Sequence, residues 1–331
     1  MLISALKPRL RLFAIVLTPA AVLFLGNLLG GSLTAPASSH AEKTPPLNGF
    51  DLSQAVIPVE DIVSGGVARD AIPAIDSPKF LSPDEADFLH PDDLVVSVTL
   101  SGRTRAYPLR ILAWHEIVND QLGAAAIAVT YCPLCNTAMV FDRVVDQRLL
   151  TFGVSGLLYQ SDVLLYDRQT ESLWSQLAVR AVSGRLRQSQ LTWLTSEHLT
   201  WAAWKAKYPQ GEVLSTQTGF QRDYSENPYA DYERSPEVRA KAPSHRQDLP
   251  AKSLVLGIVI SGHAKAYPID RLPASRPVPD ILGSANIEVS YDPVAKRPLV
   301  ADLNRVVTLP YVVGYWFAWQ AFYPETDVWK P

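Results

Sequence analysis

The run "LVVSVTLSGRTRAYPLRILAWHEIVNDQLGAAAIAVTYCP", Leu94–Pro133, decides how this chain is read, because a close copy of it follows. Leu254–Pro293 reads "LVLGIVISGHAKAYPIDRLPASRPVPDILGSANIEVSYDP" and aligns without a gap, with about 17 of the 40 positions identical. The sequence beyond repeats as well. "TWAAWKAKYPQGEVL" from Thr200 matches "YWFAWQAFYPETDVW" from Tyr315, pairing Trp201 with Trp316, Trp204 with Trp319, Tyr208 with Tyr323 and Pro209 with Pro324. Two related units follow, 90–215 and 251–331, the first enlarged by an insertion of several strands.

The duplication acts as an internal control. Tyr107 and Tyr267, Pro108 and Pro268, Asp120 and Asp280, Gly123 and Gly283, and Tyr131 and Tyr291 are kept in both units and are expected to serve the shared scaffold. Chemistry found in one unit only is a better functional candidate. Cys132 faces Asp292, Cys135 faces Ala295, His115 faces Ser275 and Glu116 faces Arg276, so a site belongs to the first unit.

Local patterns place these residues. "LVVSVTL" and "TRAYPL" are β-rich runs joined by Ser101-Gly102, a hairpin signal. "RILAWHEIVNDQLG" is expected to be a helix closed by Gly123, with Leu112, His115 and Val118 or Asn119 on one face. "AIAVTY" reads as a buried strand that delivers Cys132 at its end, and "NTAMVFDR" starts the next strand after the Pro133 turn. Asp142-Arg143 and Asp167-Arg168 read as turn chemistry in hairpins. "SEHLTWAAWKAKYP" reads as an amphipathic helix capped by Ser196, its tryptophans in the core. The expected class is α+β: mostly antiparallel β with a few helices, in two pseudo-repeated halves. A 42–89 extension packs on the core, and the polar, aromatic-dotted 216–250 is a linker or lid.

The only two cysteines of the 331-residue chain are Cys132 and Cys135. A structural disulfide closing so short a ring contributes roughly 2 kcal/mol, little for a chain of this size. A thiol–disulfide oxidoreductase pair needs an acidic thiol at a helix N-terminus, and no helix signature follows Cys135. A metal site takes both thiolates and needs further ligands. His115 is the leading third ligand, and Glu116 the second candidate, as a ligand or proton carrier. Thiolate with imidazole suits zinc, copper or iron. Metal binding by Cys132, Cys135 and His115, with redox use of the thiols in addition, is the favoured reading. Catalytic candidates are Cys132, Cys135 and Glu116.

Other signatures are missing. There is no nucleotide-binding glycine motif, no Gly-x-Ser-x-Gly elbow around Ser155, no His-Glu-x-x-His and no Cys-x-x-Cys-His for covalent haem. A net charge of −3 with both signs mixed argues against nucleic acid as a partner. The protein partner, if any, is not indicated.

The chain opens with Lys7, Arg9 and Arg11, an apolar run Leu12–Leu25, and small residues Ser39 and Ala41. This reads as a Sec-type signal peptide over 1–41, placing the mature protein in the periplasm or outside the cell. The rival is a retained membrane anchor, which Pro19, Gly26 and Asn27 weaken. Any transient membrane association is expected to run through this segment.

Taken together, "AYPLRILAWHEIVND", "VTYCPLCNTAMVFDR", "FGVSGLLYQSDVLLYDRQTESLWSQ", "TWAAWKAKYP" and "DYSENPYADYE" resemble the exported prokaryotic family catalogued as domain of unknown function 3179, from about residue 55 onward. In that family Gly usually follows the Tyr-Cys-Pro-Leu-Cys run. Here Asn136 stands there, a residue that tolerates the left-handed backbone. The resemblance implies export and a signature site at Cys132 and Cys135, and it implies no activity.

Overall fold

Short β-branched runs punctuated by Gly, Asn and Asp turns dominate the chain, and the computed structural model realises them as strand almost throughout. It describes residues 46–239, 246–274 and 276–331, all within one unit, Lys43–Pro331. The leader read over 1–41 and Ser275 lie outside the described residues. The expected α+β fold in two halves is not what forms. Strand makes up 42 % and helix 11 %, and five small sheets are arranged as a five-bladed β-propeller. Among the described residues the α-helices are four short pieces, α1 (Leu109–His115), α2 (Trp201–Lys207), α3 (Ala230–Arg234) and α4 (Trp316–Phe322), beside two single 3₁₀ turns.

Blade I orders the strands Glu197–Thr200, Leu94–Leu100, Arg103–Pro108, Glu212–Leu214 and Phe80–Leu81. Blade II orders Trp193–Leu194, Thr137–Asp142, Ala125–Cys132 and Ile117–Leu122. Blade III is the insertion, with Ile62–Ser64 added at its edge: Ile62–Ser64, Phe152–Tyr159, Asp162–Asp167, Leu173–Ser175 and Arg180–Ser183. Blade IV orders Val312–Tyr315, Leu254–Ile260, His263–Pro268 and Asp327–Val328. Blade V orders Val278–Leu282, Ala285–Asp292, Arg297–Asp302 and Val307–Thr308.

Neighbouring blades are tied by specific contacts. Val96, Tyr107, Val118 and Ile127 form one core between blades I and II. The Asn119 amide bridges II to III, donating to the Phe152 carbonyl at 2.8 Å and accepting from its N–H at 2.9 Å. The Tyr323 hydroxyl, just past α4, donates to the Leu177 carbonyl beside blade III at 3.0 Å. Leu256, Tyr267 and Ile287 join IV to V. The Thr200 N–H donates to the Ala295 carbonyl at 2.8 Å and closes V onto I.

The aligned residues of the two sequence units hold equivalent register. Val95 pairs with Pro108 as Val255 pairs with Pro268, and Tyr131 with Ala138 as Tyr291 with Pro298. So the repeated piece is a pair of blades, not a lobe. A cavity of about 80 Å³ is lined by both members of the pairs Leu94/Leu254, Leu109/Ile269, Tyr131/Tyr291, Asn136/Lys296 and Ala138/Pro298, which marks a local two-fold relation.

Two helix readings need correction. The helix expected to run on to Gly123 stops at His115. Glu116 takes a left-handed φ of 57°, and Ile117–Leu122 returns as a strand. Val118 and Asn119 therefore share a sheet with Cys132, not a helix face with His115. Likewise Glu197–Thr200 is strand, and Thr200, not Ser196, caps α2 by accepting the Ala203 N–H at 3.4 Å.

The kept Tyr and Asp pairs are joined. The Tyr107 hydroxyl donates to Asp120 Oδ2 at 2.5 Å, and Arg105 Nη1 lies 2.8 Å from both carboxylate oxygens. In the second unit Tyr267 donates to Asp280 Oδ2 at 2.7 Å, with Lys265 Nζ at 2.7 Å. The first pair is buried, whereas Lys265 and Asp280 keep side-chain exposures of 18 % and 17 %. Breaking a buried pair strands its partner charge. We therefore expect Asp120→Ala to lower the urea-unfolding free energy by about 3–5 kcal/mol and Asp280→Ala to cost clearly less. Equal losses would contradict the buried-pin reading.

Candidate functional site

Cys132 ends the strand Ala125–Cys132, and the turn Pro133–Asn136 brings Cys135 back beneath it, its N–H donating to the Cys132 carbonyl at 3.2 Å. Asn136 closes the turn at φ 54°, the left-handed conformation that Asn tolerates. Both thiols are free and buried. Blade IV rests on this turn: the Tyr315 N–H donates to the Cys135 carbonyl at 2.8 Å. A Cβ on Gly314 would lie 2.5 Å from Thr137 Cγ2, so only glycine permits that approach. From the other side the Tyr232 hydroxyl, on α3, donates to the Leu134 carbonyl at 2.8 Å.

The third member comes from the insertion. Tyr159 and Asp162 pair across a two-residue turn, Gln160-Ser161, in which both residues have positive φ (51° and 71°). That tight turn is the kind that joins antiparallel strands without splaying them. It points the Ser161 carbonyl at the thiols, 3.0 Å from Cys135 Sγ and 4.0 Å from Cys132 Sγ. It also sets Asp162 so that Cys132, Cys135 and Asp162 hold their ligand atoms within 4.8 Å of one another. Asp162 Oδ2 accepts the Leu177 N–H at 2.9 Å, while the buried Oδ1 has no hydrogen-bond partner. Around this cluster Thr130, Thr137 and Gln176 satisfy one another, Gln176 Nε2 donating to Thr130 Oγ1 at 2.8 Å and Gln176 Oε1 accepting from Thr137 Oγ1 at 2.7 Å.

His115 is not brought to the cysteines. Its Nδ1 lies 2.7 Å from the Pro73 carbonyl, which can only accept, so Nδ1 carries the proton in the neutral ring. Nε2 then accepts from the Tyr224 hydroxyl at 2.7 Å, and Tyr224 in turn lies 2.6 Å from Thr218 Oγ1. Burial pushes the imidazole below its ordinary pKa. The residue ties Tyr224 and Pro73 to the end of α1, and both of its nitrogens are used.

Glu116, one residue on, behaves differently. It is 7 % exposed, and its one side-chain hydrogen bond among the described residues is a long one of 3.4 Å accepted from the Tyr229 hydroxyl. Burial raises its pKa to about 8, and the charge of Asp162 adds to the effect. Burial likewise raises Asp162 to about 7 and pushes both thiols up, Cys135 the further. At neutral pH Glu116 and both thiols hold their protons.

The remaining sequence candidates are structural. Asp167 accepts from the Thr170 N–H at 2.6 Å and from Trp174 Nε1 at 2.9 Å, and Asp142 accepts from the Val144 N–H at 2.7 Å. The buried Ser155 hydroxyl donates to the Leu164 carbonyl. Trp201 and Trp204 stack in the core, 5.3 Å between centroids. Asp162 was missed because it sits in an inserted turn without Gly or Asn, far along the chain from the cysteines. Its one sequence signal was that the insertion has no counterpart in the second unit.

A family model described as a protein of unknown function (DUF3179) matches residues 69–307, and the chain belongs to that family. No curated protein and no solved structure matches it.

The raised carboxyls set a pH dependence. A carboxyl whose folded pKa exceeds its unfolded value binds its proton more tightly in the folded state, so folding loses stability as pH rises from the unfolded to the folded pKa. For Glu116 that window runs from 4.5 to about 8, and for Asp162 from 3.8 to about 7. Chelator-treated protein is expected to lose stability from pH 5 to pH 8, and Glu116→Gln to flatten part of that slope. Urea midpoints across this range measure it, and a parallel slope in the variant would place the burial effect elsewhere.

Proposed function

We propose that this member of the DUF3179 family binds a transition-metal ion through Cys132 Sγ, Cys135 Sγ and Asp162. What supports the reading is the convergence of three ligand atoms within 4.8 Å in a buried site, where Asp162 Oδ1 has no other partner. With Zn–S near 2.3 Å and Zn–O near 2.1 Å, tetrahedral ligand atoms stand roughly 3.5–3.8 Å apart, which the cluster accommodates with small shifts. Two thiolates and one carboxylate suit zinc first, and copper or iron less well. Three protein ligands leave a fourth position for water or substrate, the arrangement of catalytic rather than structural zinc. Glu116, near enough to Cys132 for the two ionisations to oppose each other, then serves as a proton carrier beside that position. The leader read over 1–41 would put this site outside the cytoplasm.

Thiol–disulfide exchange is the weaker reading. It needs an accessible thiol with a lowered pKa, and here burial closes both thiols off and raises them. A plain disulfide staple leaves the adjacent buried carboxyl without a purpose.

Elemental analysis of protein purified without chelator tests the proposal. About one equivalent of one transition metal is expected, lost in Cys132→Ser and at least tenfold weaker in Asp162→Asn, but kept in His115→Ala. Cobalt loading should add thiolate charge-transfer bands. A metal-free protein that takes up neither zinc nor cobalt, or metal loss in His115→Ala with Asp162→Asn unaffected, would sink the assignment.

A further inference from the structure

Leu134, between the two cysteines, and Val163, next to Asp162, also form one wall of a cleft of about 460 Å³. That volume lies in the range of small-molecule sites. The cleft has two unlike ends. Along one, the paired strands Ile62–Ser64 and Phe152–Tyr159 set Val63 against Leu158, both half-buried, as an apolar surface. At the other stand Glu116, Tyr229 and Arg239. Arg239 is exposed, its guanidinium 5.2 Å above the Tyr232 ring, and it has no carboxylate partner among the described residues. The adjoining residues 240–245 contain no acid either. Glu116 sits in a left-handed conformation that costs a non-glycine residue energy, a feature that clusters at ligand sites.

We propose that this cleft binds an amphipathic monocarboxylate, its apolar chain lying along Val63 and Leu158 and its head group held by Arg239, Tyr229 and the Glu116 carboxyl. An unpaired guanidinium favours a carboxylate because two N–H groups match its two oxygens. The apolar strip favours a chain several methylenes long, each buried CH₂ contributing about 0.8 kcal/mol. The polar groups cannot satisfy a purely hydrocarbon ligand, and the apolar strip offers nothing to a sugar or nucleotide. The occupant lies against Leu134, directly over the cysteine turn. The cleft itself needs no metal.

Calorimetric titration of the chelator-treated protein with sodium decanoate is the test, with decanol and decyltrimethylammonium as head-group controls. Decanoate is expected to bind with one saturable equivalent, and each control about tenfold weaker or worse. Arg239→Gln should weaken decanoate about tenfold and leave decanol unchanged, while Leu158→Trp should weaken both. Melting curves matching the parent establish that each variant is folded. Equal binding of decanoate and decanol, decanoate binding unaffected by Arg239→Gln, or no saturable heat in the parent overturns the proposal. Cys132→Ser should bind decanoate like the parent, so loss of metal and loss of the carboxylate are read separately.

Discussion

A tyrosine–aspartate contact is made once in each repeat, buried in the first and partly exposed in the second, and it ties the outgoing strand of one blade to the first strand of the next. Because the tyrosine precedes a proline and the aspartate precedes a turn glycine in both units, the contact fixes where the chain must arrive after each hairpin. What lies between is free to differ. The second unit crosses with a single 3₁₀ turn, Ile269–Arg271, whereas the first builds α1 and then reverses at Glu116. That reversal is possible only because the Glu116 N–H still bonds the Leu112 carbonyl and its own carbonyl accepts the Tyr131 N–H at 2.7 Å. The strained residue is therefore held by the same strands that carry the cysteines, and its carboxyl is delivered to the cleft rather than to solvent.

Burial governs the chemistry of what is delivered there. A Cys-x-x-Cys pair reacts through its thiolate, and desolvation works against the thiolate at both positions. A cation reverses the argument, since it stabilises the deprotonated form of the same groups. A set of two thiols and a carboxyl, unfavourable to ionise alone, becomes coherent once a metal supplies the opposing charge. This is why the site reads better as a place for a metal than as a disulfide exchanger.

Much of this could be read in the sequence, though not the part that completes the site. The hairpin at Ser101-Gly102, the strand ending in Cys132 and the left-handed Asn136 follow from side-chain alternation and turn chemistry, which act over a few residues. Two errors share a cause. The helix pattern reads on through Glu116 because no glycine or proline announces the break there; the Tyr131 N–H on a neighbouring strand, donating to the Glu116 carbonyl, holds the chain in its reversal. The α+β class followed from that helix and from reading Glu197–Thr200 as helix, which pairing with Leu94–Leu100 overrides. His115 attracts notice because the second unit has no counterpart to it, but residues unique to one unit include those that hold its flanking segments, as the bonds to Tyr224 and Pro73 show.

Duplication supplied the frame, and the insertion completes the proposed site. The cysteines, Leu134 and Glu116 come from a repeated blade, where their counterparts are Asp292, Ala295, Val294 and Arg276. Asp162, the Ser161 carbonyl and the cleft residues Leu157, Leu158 and Val163 come from blade III, which the second unit lacks. Neither source alone holds a metal-ligand set or a lined cleft. The proposed site therefore lies at the seam between an inherited scaffold and the sheet inserted into it. The tight turn at Gln160-Ser161 is the point where that seam is set, because a register slip of one residue there would turn Asp162 away from the thiols and Val163 out of the cleft.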